Sequence, residues 1–325
     1  MAAMTDFDLT GKRIWVAGHR GMVGSAIVRR LHQEPCEILS VSHSDLDLRR
    51  QAAVEEWTAK QRPDAVIVAA ATVGGIHANA SRPADFISDN LAIEQNIINA
   101  AYQNGVSKLL FLGSSCIYPR LAPQPIDEES LLTGPLEPTN EWYAIAKIVG
   151  IKLCQAYRRQ HGCRFVSAMP TNLYGPEDNF DLTGGHVLPS LLAKIHRAKV
   201  EGGKTVEIWG TGTPRREFLH VDDLADAVVF LLRHYEDDLP INVGTGVDVT
   251  ILEVAEAIAQ VVGFEGSFVF DSSKPDGTPR KLLNVSRLSA LGWQSKIPLL
   301  DGLRQTYRWY LDRLSGPGVR GGQAH

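Results

Sequence analysis

The chain has 325 residues, 44% of them hydrophobic and 22% charged, with a formal net charge of −4. Such a composition belongs to an ordinary globular protein of one large or two smaller units. With no dense basic block, it leaves no electrostatic footprint for nucleic acid.

The first half alternates two textures. Apolar, β-rich runs recur at RIWVAG (13–18), EILSV (37–41), DAVIVAAA (64–71), KLLFLGS (108–114) and RFVSAMP (164–170). Helical spacing occupies 25–33, 84–102 and 142–160. Strands that are apolar throughout, not alternating, read as buried parallel strands. Their alternation with helices predicts a doubly wound α/β sheet. After Pro170 the texture changes to a long Pro-, Gly-, Asn- and Asp-rich loop, PTNLYGPEDNFDLTGGH. A helix is predicted over 187–199, a short strand at VEIWG and an amphipathic helix at LHVDDLADAVVFLLRHY. INVGTG reads as one more strand and turn, returning to the main sheet. The expected division is a first domain of 1–170 plus about 220–246, a smaller α+β lobe of 171–219 plus 247–313, and a disordered tail over 314–325.

Cys36, Cys116, Cys154 and Cys163 form no C-x-x-C pair, so neither a metal site nor a disulfide framework is expected. The start, MAAMTDFDLTGKR, does not read as a signal peptide. The longest apolar run, AVIVAAATV at 65–73, is too short to span a bilayer. The expected compartment is cytoplasmic and reducing, with no membrane contact.

The first predicted strand runs into Gly18-His19-Arg20-Gly21-Met22-Val23-Gly24 and then a helix. Glycines at this spacing let backbone approach a pyrophosphate, which then rests on the helix N-terminus. An acid suited to a ribose 2′-OH arrives late, at Asp45. Arg20 inside the loop suits a phosphate, and together these favour NADPH. Downstream, Tyr143-Ala-Ile-Ala-Lys147 places a phenol and an ammonium on one helix face. A nearby ammonium, with the positive nicotinamide ring, is expected to lower the phenol's pKa and so ready it for proton transfer. Between these motifs lies LGSSCIYPR (112–120), where a strand opens onto two serines and a thiol.

AGHRGMVGSAI, LGSSCIYP, EPTNEWYAIAKI, MPTNLYGPEDNF, REFLHVDD, INVGTG and KPDGTPRK together identify the chain as similar to the extended short-chain dehydrogenase/reductase family, from Gly11 to about Tyr310. The resemblance implies a Rossmann domain with a C-terminal substrate lobe, a homodimer, NADPH, and a GDP-sugar substrate, GDP-4-keto-6-deoxy-D-mannose. It implies inversion at C3 and C5 through enolates, followed by hydride delivery to C4. Ser114 matches the serine that bonds the C4 oxygen, Tyr143 the proton donor to that oxygen, and Lys147 the lysine on the nicotinamide ribose. Cys116 matches the thiol that removes the C3 and C5 protons, and His186 the acid on the opposite face. A plain reductase needs Ser, Tyr and Lys but no thiol. Leu112, Gly113, Ser114 and Ser115 match cofactor contacts, as do Pro170, Thr171, Asn172, Leu173 and His186. GDP contacts fall on Lys194, Trp209 and Arg216, with Asp276 a less close match.

Trp209 reads equally as a core aromatic, and Cys154 and Cys163 read as buried structural thiols. Family relatives carry an arginine in the loop after the second strand; here it reads Ser42-His43-Ser44, with His43 a partial substitute. The competing readings are a redox-neutral nucleotide-sugar 4-epimerase, a simple 4-reductase, and a non-catalytic NADP(H) sensor. Cys116 with His186 argues against the first two, and an intact Ser114-Tyr143-Lys147 set against the third.

Overall fold

The computed structural model describes residues 6–182, 185–274 and 276–315. In its first part strands and helices alternate: β1 (Arg13–Ala17), α1 (Met22–Leu31), β2 (Glu37–Leu39), α2 (Gln51–Gln61), β3 (Ala65–Val68), α3 (Ile76–Ser81), α4 (Pro83–Gln103), β4 (Lys108–Leu112), α5 (Glu141–His161) and β5 (Phe165–Pro170). There follow β6 (Asn172–Tyr174), α6 (Val187–Glu201), β7 (Thr205–Trp209), β8 (Arg215–His220), α7 (Val221–His234) and β9 (Ile241–Val243). The last elements are β10 (Asp248–Thr250), α8 (Ile251–Val262), β11 (Ser267–Asp271), β12 (Arg280–Lys281), α9 (Ser286–Ala290) and α10 (Leu299–Ser315).

Six parallel strands make the main sheet in the order β2-β1-β3-β4-β5-β9. Its central strands are buried on both faces, which is why their sequences are apolar throughout. One core, including Ile14, Ile27, Leu110, Leu224 and Val228, lies on the α1–α7 side. A second, including Trp15, Ile97, Phe111 and Ile151, lies on the α2, α4 and α5 side. A third core, with Leu192, Ile208, Phe218, Val254 and Leu303, joins α6, α8, α10 and the short strands of the C-terminal part. There β8 carries β10 antiparallel and β6 and β12 parallel, while β7 pairs with β11. The chain leaves β5 and enters β6 across a single residue, Thr171, so the main sheet and β8 meet at 170–172.

Two boundaries depart from expectation. The second strand stops at Leu39, because Ser42 turns to bond Ser44 and Asp45. The expected tail starts too early, since Leu314 and Ser315 continue α10; residues 316–325 lie outside the described part. Among the described residues no helix is long and apolar enough to cross a membrane.

Lys108 at the start of β4 is fully buried, and its ammonium donates to the Tyr235 carbonyl and to Glu236 Oε1, both at 2.6 Å. Arg164 also bonds Glu236, so one carboxylate joins β4, the entry to β5 and the end of α7. Burial pushes the Lys108 pKa down to about 8, with Glu236 opposing the shift. The unfolded chain holds that proton to higher pH, so this group's penalty is full below about 8 and fades as pH rises toward 10.5. Glu236→Gln removes the opposing charge. It is expected to cost about 3 kcal/mol at pH 7, the low end for a broken buried pair because Glu236 keeps some exposure, and less near pH 10. Chemical denaturation at both pH values checks this; a loss under about 1 kcal/mol at pH 7 would show the pair to be dispensable.

Candidate active site

Three strand ends and three helix starts build the site. At the first, β1 runs into Gly18, whose φ of +89° and whose contact with the Ala69–Ala70 backbone leave no room for a side chain. Gly21 is the N-cap of α1, makes no side-chain cap and is followed by no acidic residue in the first turn. The first amide groups of α1 are therefore available to an anion, in the positive field of the helix. A Cβ on Gly24 would lie 2.1 Å from the Gly18 carbonyl oxygen, so helix and loop are in direct backbone contact. Met22 and Val23 pack on the first core, which leaves their backbone to the loop. Arg20 is exposed and makes no ion pair among the described residues; His19 is half-buried beside it, its pKa lowered by burial and then by Arg20. Asp45 turns back to accept from Ser42, away from the part an NAD-binding acid plays, while His43 stays exposed. This cradle, a free guanidinium and an occupied Asp45 fit a dinucleotide with a 2′-phosphate.

The second strand end is β4. Leu112 and Gly113 are buried, and the Gly113 amide donates to Ala168 O of β5 at 2.9 Å. Ser114 caps a short 3-10 turn over Ser115–Ile117 by accepting from the Cys116 amide at 3.3 Å. That turn buries Ser115 and leaves Ser114 and Cys116 partly exposed on the open side. Helix α5 brings Tyr143 to the same place, with Phe86 packed edge-on against its ring at 6.5 Å. The Tyr143 ring is partly exposed, but its hydroxyl is enclosed by protein.

In the chain alone, the Lys147 ammonium does not lower the Tyr143 pKa. The Tyr143 pKa is raised, first by burial, then by the Cys116 and Glu94 charges, with Ser114 opposing. Burial is the main cause, and Glu94 adds to it. Glu94 projects from α4 into α5, fully buried, with Oε1 2.9 Å from Lys147 Nζ. Lys147 thus spends its charge on Glu94, and its ammonium stands over the Phe111 ring at 4.8 Å and the Tyr143 ring at 5.8 Å. Gly150, one turn beyond Lys147, makes room: a Cβ there would fall 2.7 Å from Glu94 Oε2. Tyr143 is consequently a neutral phenol at neutral pH, the form that donates a proton.

The third strand end is β5. The Thr171 amide donates to Val243 O at 3.0 Å and the Asn172 amide side chain to Glu217 O at 2.8 Å, which fixes Pro170 to Leu173 between the main sheet and β8. His186 is the N-cap of α6 and uses no side-chain cap. Its ring is open to solvent yet flanked by enough protein to lower its pKa, and the positive helix end disfavours its protonation too.

Two turns along the same helix, about 12 Å on, Lys194 places Nζ 4.8 Å over the Trp209 ring. Trp209 is 48% exposed, so it is a surface aromatic and not part of the core. Lys274, which the sequence did not single out, approaches the same ring at 5.6 Å. Of the adjacent arginines, Arg215 pairs with Asp248 at 3.1 Å, whereas Arg216 makes no ion pair among the described residues. Asp276 accepts from the Thr211 amide and hydroxyl at 2.7 and 2.9 Å and closes that turn. Cys154 is buried and Cys163 half-buried; all four thiols are free.

A family model described as the NAD dependent epimerase/dehydratase family matches residues 14–244. The chain is 58% identical over 312 residues to the GDP-L-fucose synthase of Sinorhizobium fredii, covering 96% of this chain and 99% of the relative. It is 61% identical over 300 residues to GDP-L-fucose synthase 1 of Arabidopsis thaliana, covering 92% and 93%. The crystal structure of a GDP-L-fucose synthetase from Naegleria fowleri bound to NADP superposes with a TM-score of 0.88 at 31% identity, covering 96% of this chain and 98% of that one. On a family match across the main sheet and on relatives this similar along nearly its whole length, the chain belongs to the NAD dependent epimerase/dehydratase family.

Proposed function

We infer that the chain converts GDP-4-keto-6-deoxy-D-mannose to GDP-L-fucose by 3,5-epimerisation and NADPH-dependent reduction of the C4 ketone. The observation that carries this is a thiol, Cys116, set two residues past Ser114 and close enough to Tyr143 to bear on its protonation. Relatives at 58% and 61% identity bear the matching name.

The substrate ketone oxygen sits between the Ser114 and Tyr143 hydroxyls. Those donors stabilise the enolate that forms when a C3 or C5 proton leaves. Cys116, as thiolate, takes that proton, and His186 returns one to the opposite face. Burial holds the His186 pKa below its ordinary value in the free chain, and the two phosphates of the substrate favour its protonated form. After each inversion the thiol and imidazole reset by proton exchange with water. When bound, NADPH supplies the hydride for C4. Tyr143 then gives its phenolic proton to the C4 oxygen, and water restores the phenol. Lys147 holds the nicotinamide ribose and balances Glu94 beneath the reacting centre. The glycine loop from Gly18 to Gly24 holds the pyrophosphate, Leu112 to Ser115 and Pro170 to Leu173 flank the nicotinamide, and Arg20 meets the 2′-phosphate. Lys194, Trp209 and Arg216 take the GDP, with Lys274 beside them. Residues 171–219 and 247–313 form the GDP-sugar lobe. The family resemblance supports a cytoplasmic homodimer.

The test follows deuterium from heavy water into C3 and C5 without cofactor, in wild type and Cys116→Ser, and then NADPH oxidation. Wild type is expected to exchange both positions. The variant should exchange at least about 100-fold more slowly while still oxidising NADPH. NADPH oxidation without exchange in wild type would leave a simple 4-reductase.

A further inference from the structure

Asn140 stands at the N-cap of α5, three residues before Tyr143. Asparagine at this position ordinarily spends its side-chain oxygen on an amide of the first helical turn. Here it makes no such cap. Its carboxamide turns the other way, and Nδ2 donates to Cys116 Sγ at 3.3 Å. The other end, Oδ1, is buried and has no hydrogen-bond partner. A buried orphan acceptor costs stability, as does a missing cap, and neither serves the fold.

We propose that Asn140 is a positioning residue for Cys116, holding the sulfur against the C3–C5 edge of the sugar and supporting its charge during epimerisation. The proposal rests on the reading of Cys116 as the base. A carboxamide suits the task because it offers an N–H to a thiolate and, turned over, a carbonyl to a thiol. The proton leaving carbon ends on sulfur, and the same side chain serves the sulfur before and after. The position of Asn140 also ties the two halves of the reaction. The sulfur is held by the residue that starts the helix bearing Tyr143 and Lys147, so base and proton donor are placed by one element.

The test uses the full chain with Asn140→Ser, which keeps a helix-capping residue but removes the amide, and Asn140→Ala. Deuterium exchange at C3 and C5 is expected to fall about 10- to 100-fold, the range for losing a hydrogen bond to a charged group. NADPH oxidation should change by less than about 3-fold, and its product should shift toward the sugar with unaltered C3 and C5. Alkylation of Cys116 by iodoacetamide should slow in the variants, with half-buried Cys36 and Cys163 as internal controls. Wild-type exchange in both variants, with exchange lost in Cys116→Ser, would overturn the proposal and spare the base. Equal losses of exchange and NADPH oxidation would also overturn it, because a helix-start defect reaches Tyr143. Undiminished exchange in Cys116→Ser itself would instead remove the reading beneath it.

Discussion

Lys147→Met is expected to cut ketone reduction by about 10²–10⁴-fold, the range for a lost general acid, and to cost the fold about 3–5 kcal/mol, as when one partner of a buried pair is removed. Both effects have the same origin. Lys147 is the cation 2.9 Å from Glu94, and their side chains are 3% and 1% exposed. Without it, the phenolate left after Tyr143 gives up its proton would face the Glu94 and Cys116 charges without the ammonium that offsets them. The folding loss has a pH signature. Burial already raises the Glu94 pKa above that of the unfolded chain, and Lys147 opposes the shift. Removing Lys147 raises it further. A carboxyl with a raised folded pKa is at no disadvantage while it stays protonated in both states. Its penalty starts as pH rises through the unfolded value of about 4.5 and grows until the folded value is reached. Lys147→Met should therefore lose more stability at pH 8 than at pH 5 by denaturant titration. Glu94→Gln added to it should restore much of the stability and none of the reduction. Equal losses at both pH values, or no recovery in the double variant, would show that Glu94 is not the group left stranded.

That pair also marks where the sequence stopped being readable. Ser114, Cys116, Tyr143 and Lys147 lie within short motifs whose residue types name their chemistry. Glu94 lies 53 positions before Lys147 on another helix, and nothing local connects the two. One signal was present. Asn90, Ile93, Glu94, Ile97, Ile98 and Ala101 are all buried on one stripe of α4, and a carboxylate within such a stripe needs a partner. Gly150, one turn after Lys147, is the matching gap. The motif alone therefore shows neither the burial of the Tyr143 hydroxyl nor the carboxylate that takes up the Lys147 charge. Asn140 was hidden for a different reason: at a helix start it reads as a cap, and only the geometry shows that it does not cap.

The fold divides along the same line. The central strands of the main sheet were legible because burial on both faces makes them uniformly apolar. Helix α2 was not, since only Val54 and Thr58 are fully buried along it, while Trp57 leans on Trp15 at 4.5 Å. The strands around β8 were not legible either. They are short, and Arg215, Asp248 and Arg280 join them by ion pairs, so they carry no apolar alternation.

Gly24→Ala is expected to weaken NADPH binding by on the order of 100-fold, the effect of an ångström-scale misplacement in a preformed site. The added methyl would sit 2.1 Å from Gly18 O, 2.6 Å from Gly18 C and 2.8 Å from His19 Cα. All three neighbours are backbone, so no side chain can turn aside. Either α1 moves away from the loop or the loop opens, and each displaces the amides at the Gly21 cap. The same strain should lower stability by about 1–3 kcal/mol, as overpacking does. Gly21→Ala is the control. Its φ of −75° suits any residue, and the nearest atom to an added Cβ is 3.6 Å away. Fluorescence titration with NADPH should find its Kd within about 3-fold of wild type, which corresponds to less than about 1 kcal/mol. Wild-type affinity in Gly24→Ala would mean that the close approach of helix to loop does not hold the cofactor. Equal losses in the two variants would mean that the cradle depends on glycine flexibility, not on the contact between Gly24 and Gly18.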